Sequence, residues 1–384
     1  MKHTMKKTAV VCALSSLGFC ASAATLGNTD VAFSGYIKAD AMVSDYSDGS
    51  LPSGSIGRDF YIPSLTPVGG PDEDVQFDAH IRQSRFRFAT ETPTESGDSI
   101  KGVLELDFIV TSGGDERISN SYLPRVRHAY LQYKNWLVGQ TWTTFMDVSI
   151  LPDSLDFIGV TDGVTFGRQT MVRYTNGGLE VALENPETTV TPFGGGGRIV
   201  ADDNSVPDLI AAYTIRDDWG HFKVAGLMRQ LSYNDGALVD ADETGYGIAL
   251  SSKINLGADD IRMMFNTGAG MGRYSSLNSA NGAVITQNND LETIDSYGYS
   301  IAYRHVWSER SRSSIMFSAL NIDNDTSLTG MGVTESSYST RVNYLYSPVA
   351  ALTLGAEYTF AQREIEAGLE GDMNRVQVSA KYAF

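Results

Sequence analysis

Six arginines recur in three short stretches of this 384-residue chain: Gln83-Ser84-Arg85-Phe86-Arg87-Phe88, Pro124-Arg125-Val126-Arg127-His128-Ala129-Tyr130 and Gly167-Arg168-Gln169-Thr170-Met171-Val172-Arg173-Tyr174. Side chains two residues apart share one face of a β-strand. Setting Phe86, Phe88, Tyr130 and Tyr174 on one face therefore puts Arg85, Arg87, Arg125, Arg127 and Arg173 on the other. Arg168 opens its strand, where the phase is not fixed, and His128 falls on the aromatic side. A guanidinium is permanently charged and presents a planar fork of donors to carboxylate or phosphate. A row of them on a wet face is a surface for anions, or else simply the solvated side of a sheet. Acids lie nearby in the sequence: Glu105 and Asp107 between the first two stretches, then Asp147, Asp153, Asp156 and Asp162 in the segment 142–166.

The elements that must hold these residues are strands. Period-two patterning gives sixteen of them: 31–44, 80–91, 99–111, 122–133, 136–141, 167–175, 179–184, 208–216, 219–233, 244–254, 260–272, 293–306, 311–321, 335–346, 351–362 and 372–384. In the last, Val376, Val378, Ala380, Tyr382 and Phe384 alternate with Arg375, Gln377, Ser379 and Lys381, and the sequence stops on Phe384. Connections after even-numbered strands are tight. Those after odd-numbered strands tend to be long, with 45–79, 142–166, 185–207 and 273–292 the largest. A soluble sandwich has no reason to sort its loops in this way, whereas an outer-membrane barrel has short periplasmic turns and long outer loops. No apolar run beyond the N-terminus approaches the roughly 20 residues of a spanning helix, so backbone satisfaction in lipid leaves a closed barrel. The expected fold is an all-β transmembrane antiparallel barrel of about 16 strands, with a long loop 3 folded into its lumen. Tyr297, Tyr299, Tyr303, Trp307, Tyr338, Tyr344, Tyr346, Tyr358, Tyr382 and Phe384 are placed mostly outward near strand ends, as an interfacial girdle requires.

The first residues read as an export signal. Lys2, Lys6 and Lys7 precede an apolar run over 8–19 and the small-residue site Ala21-Ser22-Ala23, the pattern of a cleaved secretory peptide. Phe19 is too large to precede a lipid-modified Cys20. The expected organisation is a signal at 1–23 and one barrel domain at 24–384. Cleavage would remove both Cys12 and Cys20, so the exported chain forms no disulfide. It would also remove three lysines, leaving 26 basic against 46 acidic residues, a net charge of −20. Nucleic acid is a poor partner for that charge. Acidic outer loops could meet a phosphate-rich lipopolysaccharide leaflet through divalent cations, or only keep the chain soluble during export.

A barrel of about sixteen strands leaves an aqueous channel, and its selectivity is set at the narrowest point. Segment 142–166 is too long for a turn and carries Phe145, Ile150, Leu151, Leu155, Phe157, Ile158 and Val160, so it is expected to pack rather than float. Folded inward, it would bring Asp147, Asp153 and Asp156 towards the positive wall of Arg85, Arg87, Arg125, Arg127, Arg168 and Arg173, with Glu105 and Asp107 beside it. Opposed charges across a constriction make a transverse field that favours polar solutes; alternatively the aspartates only cap turns. No cofactor or metal is expected. His80, His128, His221 and His305 are scattered, the glycines at 194–197 lack a following Lys-Ser/Thr, and neither Asp72-Glu73-Asp74 nor Asp323-Asn324-Asp325 has calcium-loop spacing. No catalytic residue is assigned: His128 near Ser121 or Asp107 is the best available arrangement, and no motif frames a serine. A non-conducting anchor or adhesin is the remaining class.

Beyond these readings, Gly35-Tyr36-Ile37-Lys38-Ala39-Asp40-Ala41-Met42, Arg127-His128-Ala129-Tyr130-Leu131, Gly139-Gln140-Thr141-Trp142-Thr143-Thr144-Phe145-Met146-Asp147, Leu151-Pro152-Asp153-Ser154-Leu155-Asp156-Phe157, Arg168-Gln169-Thr170-Met171-Val172-Arg173-Tyr174 and Glu184-Asn185-Pro186-Glu187 occur in that order. This succession resembles the DcaP-like branch of the trimeric porin superfamily. The resemblance implies a homotrimer of sixteen-stranded barrels with loop 3 inside and a pore passing small hydrophilic solutes, favouring organic anions such as dicarboxylates. A general or cation-preferring porin is the alternative. Members of that branch usually carry a helical coiled-coil segment before the barrel, whereas the first strand here is predicted about eight residues after cleavage.

Overall fold

The computed structural model describes residues 22–109 and 119–384. Sixteen strands make the wall: β1 (Thr29–Tyr46), β2 (Arg85–Pro93), β3 (Ser99–Asp107), β4 (Arg125–Tyr133), β5 (Trp136–Trp142), β6 (Arg168–Asn176), β7 (Leu179–Glu184) and β8 (Asp208–Asp217), followed by β9 (Gly220–Asn234), β10 (Asp240–Leu256), β11 (Asp259–Ala269), β12 (Asp295–Ser308), β13 (Ser311–Asp323), β14 (Thr334–Val349), β15 (Leu352–Ile365) and β16 (Leu369–Ala383). Each pairs antiparallel with its sequence neighbours, and β16 returns to β1 from Tyr36↔Ala383 to Tyr46↔Met373. The sheet is a closed barrel. Two short strands complete its seam: Ser22–Leu26 folds back along the start of β1, and Gln76–His80 pairs with β1 from Asp40↔His80 to Ser44↔Gln76.

The period of two decides what each residue faces. In β16, Val376 and Val378 are 51% and 50% exposed, while Arg375 and Gln377 are 2% exposed. The apolar set looks out towards lipid and the polar set looks into the lumen, as an antiparallel membrane barrel requires. Tyr297, Tyr299, Trp307, Tyr344, Tyr346, Tyr358 and Tyr382 are exposed on the outside; Tyr303, Tyr338 and Phe384 are half-buried. Residues 134–135, 177–178, 218–219, 257–258, 309–310 and 350–351 make two-residue turns at one end, the periplasmic end by the loop-length rule.

The structure departs from the sequence reading in places. The predicted strand 80–91 is broken: pairing lapses over 81–84, between Gln76–His80 and β2. The predicted strand 99–111 ends at Asp107, and its residues 110–111 lie outside the described ones. The loops after β7 and β11, read from sequence as plain loops, build a second sheet of four strands. Ile199–Ala201 pairs with Thr188–Thr191, which runs parallel to Ala283–Ile285, and that strand pairs with Leu291–Thr293. Alternation cannot reveal a pairing between segments ninety residues apart.

Ile301 lies outward in the middle of β12, 49% exposed. A charge there would face hydrocarbon, so Ile301→Arg should cost about 2–4 kcal/mol. Urea unfolding from liposomes measures this, and an unchanged midpoint would place Ile301 away from lipid.

Candidate functional site

Between β5 and β6 the chain leaves the wall and crosses the inside of the barrel. Its apolar side chains do pack: Phe145, Ile150, Leu155, Ile158 and Val160 are buried, and Ile150, Ile158, Val160 and Phe166 cluster with Phe60, Met264, Ala302 and Met316. Each such burial contributes about 1.5–3 kcal/mol. Gly355 on β15 makes room for Leu155, since a methyl there would lie 2.9 Å from the leucine Cδ1. Gly163 approaches β12 so closely that a Cβ would stand 2.0 Å from the Tyr299 carbonyl oxygen.

This crossing segment has little regular structure beyond a short 3-10 turn at Val148–Ile150, so its polar backbone groups need partners elsewhere. The lumen wall supplies them. Lys38 Nζ donates to the Leu155 carbonyl at 2.5 Å and Lys223 Nζ to the Met146 carbonyl at 3.0 Å. Arg262 donates to the Leu151 carbonyl and Arg341 to the Gly159 carbonyl. Glu357 on β15 accepts from the backbone N–H groups of Leu155 (2.9 Å) and Asp156 (3.2 Å). These partners stand on β1, β9, β11, β14 and β15.

The acids of the segment go to the same walls. Asp153 pairs with Arg312 on β13, and Asp156 lies 3.8 Å from Arg341 and accepts from the Tyr61 N–H at 3.1 Å. Asp147 Oδ2 is 2.6 Å from His221 Nε2 and accepts from Ser251 Oγ at 2.8 Å. Burial works to raise the Asp147 carboxyl, but hydrogen bonds from His221, Ser149 and Ser251 outweigh it and hold the group below the usual carboxylate range. Asp162 accepts from Tyr61 OH at 2.8 Å, Ser318 Oγ at 2.9 Å and Ser339. The expectation that Asp147, Asp153 and Asp156 face the arginine cluster is corrected for Asp147 and Asp153, which are held by His221, Ser251 and Arg312; Asp156 lines a cavity with Arg85, Arg87 and Arg127, while its contacts are to Arg341 and the Tyr61 N–H.

The arginines of β2 and β4 meet acids of β3 instead. Arg125 grips Asp107 through two bonds, Nε–Oδ1 at 3.0 Å and Nη2–Oδ2 at 2.9 Å. Arg127, 2% exposed, donates to Glu105 at 2.8 Å and Asp107 at 2.9 Å. Arg85 lies 3.4 Å from Glu105. Arg87 makes no ion pair among the described residues and lines a lumen cavity of about 630 Å³ with Lys38, Arg85, Arg127, Tyr130 and Lys381. The Phe157 ring lies 5.9 Å from the Arg125 guanidinium and 5.5 Å from that of Arg127.

Two phases were misread for one reason. The β3–β4 register shifts between Glu105 and Leu106, a bulge that puts one extra residue into β4. Val126 and Leu131 both face outward although five residues apart. Arg127 and the consecutive His128 both turn inward, and Tyr130 lines the cavity rather than the lipid. Arg168 stacks on Trp142 at 4.4 Å and stands near the same group. Arg173 does not join it. It pairs with Glu180 at 3.8 Å and lines a second cavity, of about 660 Å³, with Arg216, Lys223, Lys253, Arg262 and Arg304. Sequence reasoning missed these last cations because none belongs to an Arg-x-Arg pair like Arg85 and Arg87. At the opposite end, the long loops present acids: Asp72, Glu73 and Asp74 in one group, and Asp203, Asp235, Asp240 and Asp242 in another. Among the described residues no group of His, Cys, Asp and Glu has metal-binding geometry.

A closed sixteen-stranded barrel, apolar outside and charged within, with a long segment folded into its lumen, defines an outer-membrane β-barrel of porin type. The chain belongs to the DcaP outer membrane protein family, whose sequence profile matches residues 23–384. Among solved structures it is similar to the outer membrane channel DcaP of Acinetobacter baumannii, with 23% identity, a TM-score of 0.78, and coverage of 94% of this chain and 99% of that one. An anion-selective porin from Comamonas acidovorans shares the fold at 10% identity and a TM-score of 0.59, covering 93% and 100%. OmpT of Vibrio cholerae does so at 12% and 0.55, covering 94% and 100%. A comparison with curated protein sequences gives no match.

The ion pairs separate structural from free arginines. Arg127→Ala would leave Glu105 and Asp107 short of a buried partner and should cost about 3 kcal/mol. Arg87→Ala should change stability by less than about 0.5 kcal/mol. Urea denaturation of the two variants tests the distinction, and equal effects would contradict it.

Proposed function

We propose that the protein is a passive diffusion channel for small hydrophilic solutes, favouring small organic anions such as dicarboxylates, and that it works as a homotrimer beside lipopolysaccharide. The observation that carries this reading is the cavity between the crossing segment and strands β1–β4. Lys38, Arg85, Arg87, Arg127 and Lys381 line it against only Glu105 and Asp156. In a narrow lumen a surplus of fixed positive charge attracts anions and repels cations. Arg85 and Arg87 are the residues assigned to anion contact, with Arg125, Arg127 and Arg168 supporting the wall and Glu105 and Asp107 holding the guanidinium groups in place. Chemistry on the solute is not part of this reading: Ser149 Oγ lies 3.0 Å from His221 Nε2, but Asp147 meets that same nitrogen at 2.6 Å instead of orienting the ring through Nδ1. The similar channel of Acinetobacter baumannii and the anion-selective porin of Comamonas acidovorans support conduction and ion preference as properties of such barrels.

The acidic outer groups favour a second reading, a cation-preferring porin. Their weight falls with distance, because exposed charges are screened over about 8–10 Å at physiological salt. The reversal potential of the purified protein in a planar bilayer under a salt gradient decides between the two. Anion preference is expected, and replacing Arg85 and Arg87 by glutamine should move the potential towards zero. A cation-side potential would hand selectivity to the acids, and absence of current would return the protein to the anchor or adhesin class. Deleting residues 153–161 should raise single-channel conductance, and an unchanged conductance would show that the segment does not limit flow.

A further inference from the structure

The second lumen cavity has no part in the reading above, although six cations line it against Asp147, Asp153 and Glu180. It borders Trp142, Val148, Leu151 and Pro152, which also line the first cavity. Arg173, Arg216, Lys223, Lys253, Arg262 and Arg304 reach it from six different strands, near the short turns. Asp260 carries three of them: Arg262 at 2.6 Å, Arg304 at 2.7 Å and Lys253 at 3.7 Å. Glu180 carries two, Lys223 at 3.2 Å and Arg173 at 3.8 Å. Arg216 makes no ion pair among the described residues. Five of the six cations thus share two wall carboxylates, and the loop acids bordering the same space, Asp147 and Asp153, are already engaged by His221 and Arg312. The Nε atoms of Arg173 and Arg304 make no hydrogen bond within the protein. Like charges held together in a confined space repel. An oxyanion would offset that repulsion.

We propose that this cavity is a second binding site, for a small oxyanion carrying two or more negative charges. It lies in series with the arginine cavity, so that an anion leaving Arg85 and Arg87 passes Trp142 and is received by Lys253, Arg304 and Arg216 before exit. A monovalent anion fits poorly, because one charge leaves most of the surplus uncompensated. The serial arrangement rests on the channel reading; occupancy of the site does not.

Equilibrium dialysis of radiolabelled succinate against the purified full chain in detergent tests occupancy without requiring current. Two succinates per chain are expected, with acetate a weak competitor. Lys253→Gln with Arg304→Gln keeps Arg262 on Asp260 and should weaken one of the two sites about fivefold per cation removed. Glu180→Gln frees Arg173 and Lys223 and should tighten that site, so a folding defect in the first variant cannot imitate the result. In single channels, the double variant should lose succinate block from one side of the membrane and keep it from the other. Succinate binding whose stoichiometry and affinity are unchanged in both variants would overturn the second site, whereas one succinate per chain that responds to them would count against the arginine cavity instead. Equal loss of block from the two sides would overturn the serial order. Absence of current would strike the channel reading alone, leaving the second site to the dialysis result.

Discussion

In hydrocarbon an unpaired peptide group costs several kcal/mol, and this chain meets that constraint by pairing its first wall strand with its last. The β1–β16 seam runs from Tyr36↔Ala383 to Tyr46↔Met373 and leaves no lipid-exposed sheet edge. Closure also fixes the faces. A slip of one residue would carry Val376 and Val378 into the lumen and Arg375 into lipid, so lipid contact specifies the register as strongly as a soluble core would. The position of every charged group inside follows from that register.

The crossing segment poses the same problem on the inside. An irregular chain at membrane depth persists only where protein or water satisfies its backbone. Here Lys38, Lys223, Arg262 and Arg341 each donate to one of its carbonyls, and Glu357 accepts from two of its N–H groups. Charged groups make stronger hydrogen bonds than neutral ones, so part of the wall's charge holds the segment in place. The cations left over, Arg87 among them, are free to meet a solute. This division explains why the total of lumen arginines is a poor guide to how many act on ions.

The strands and the sorting of the loops were legible because lipid on one side and water on the other impose a period of two that nothing else disturbs. Arg85 and Arg87 were legible as a pair for the same reason. What was hidden depends on register rather than composition. The bulge at Arg127 leaves no mark in a residue pattern, yet it reverses His128 and Tyr130. The ionic partners of Asp147, Asp153 and Asp156 stand between 74 and 185 residues away. The parallel pairing of Val190 with Ala283 likewise joins loops whose sequences show only that they are long. The second cavity was invisible because six strands each contribute a single cation.

One further consequence lies in the opposition of the two ends. Acids crowd the long loops, with Asp203, Asp235, Asp240 and Asp242 in one group, while arginines and lysines crowd the lumen near the short turns. Fixed charges of opposite sign placed in sequence along a conduit form a junction. Voltage of one polarity fills such a junction with mobile ions from both reservoirs, and the reverse polarity depletes it. A barrel built in this way and carrying current would act as a rectifier without any moving gate, its resistance depending on which way the potential points.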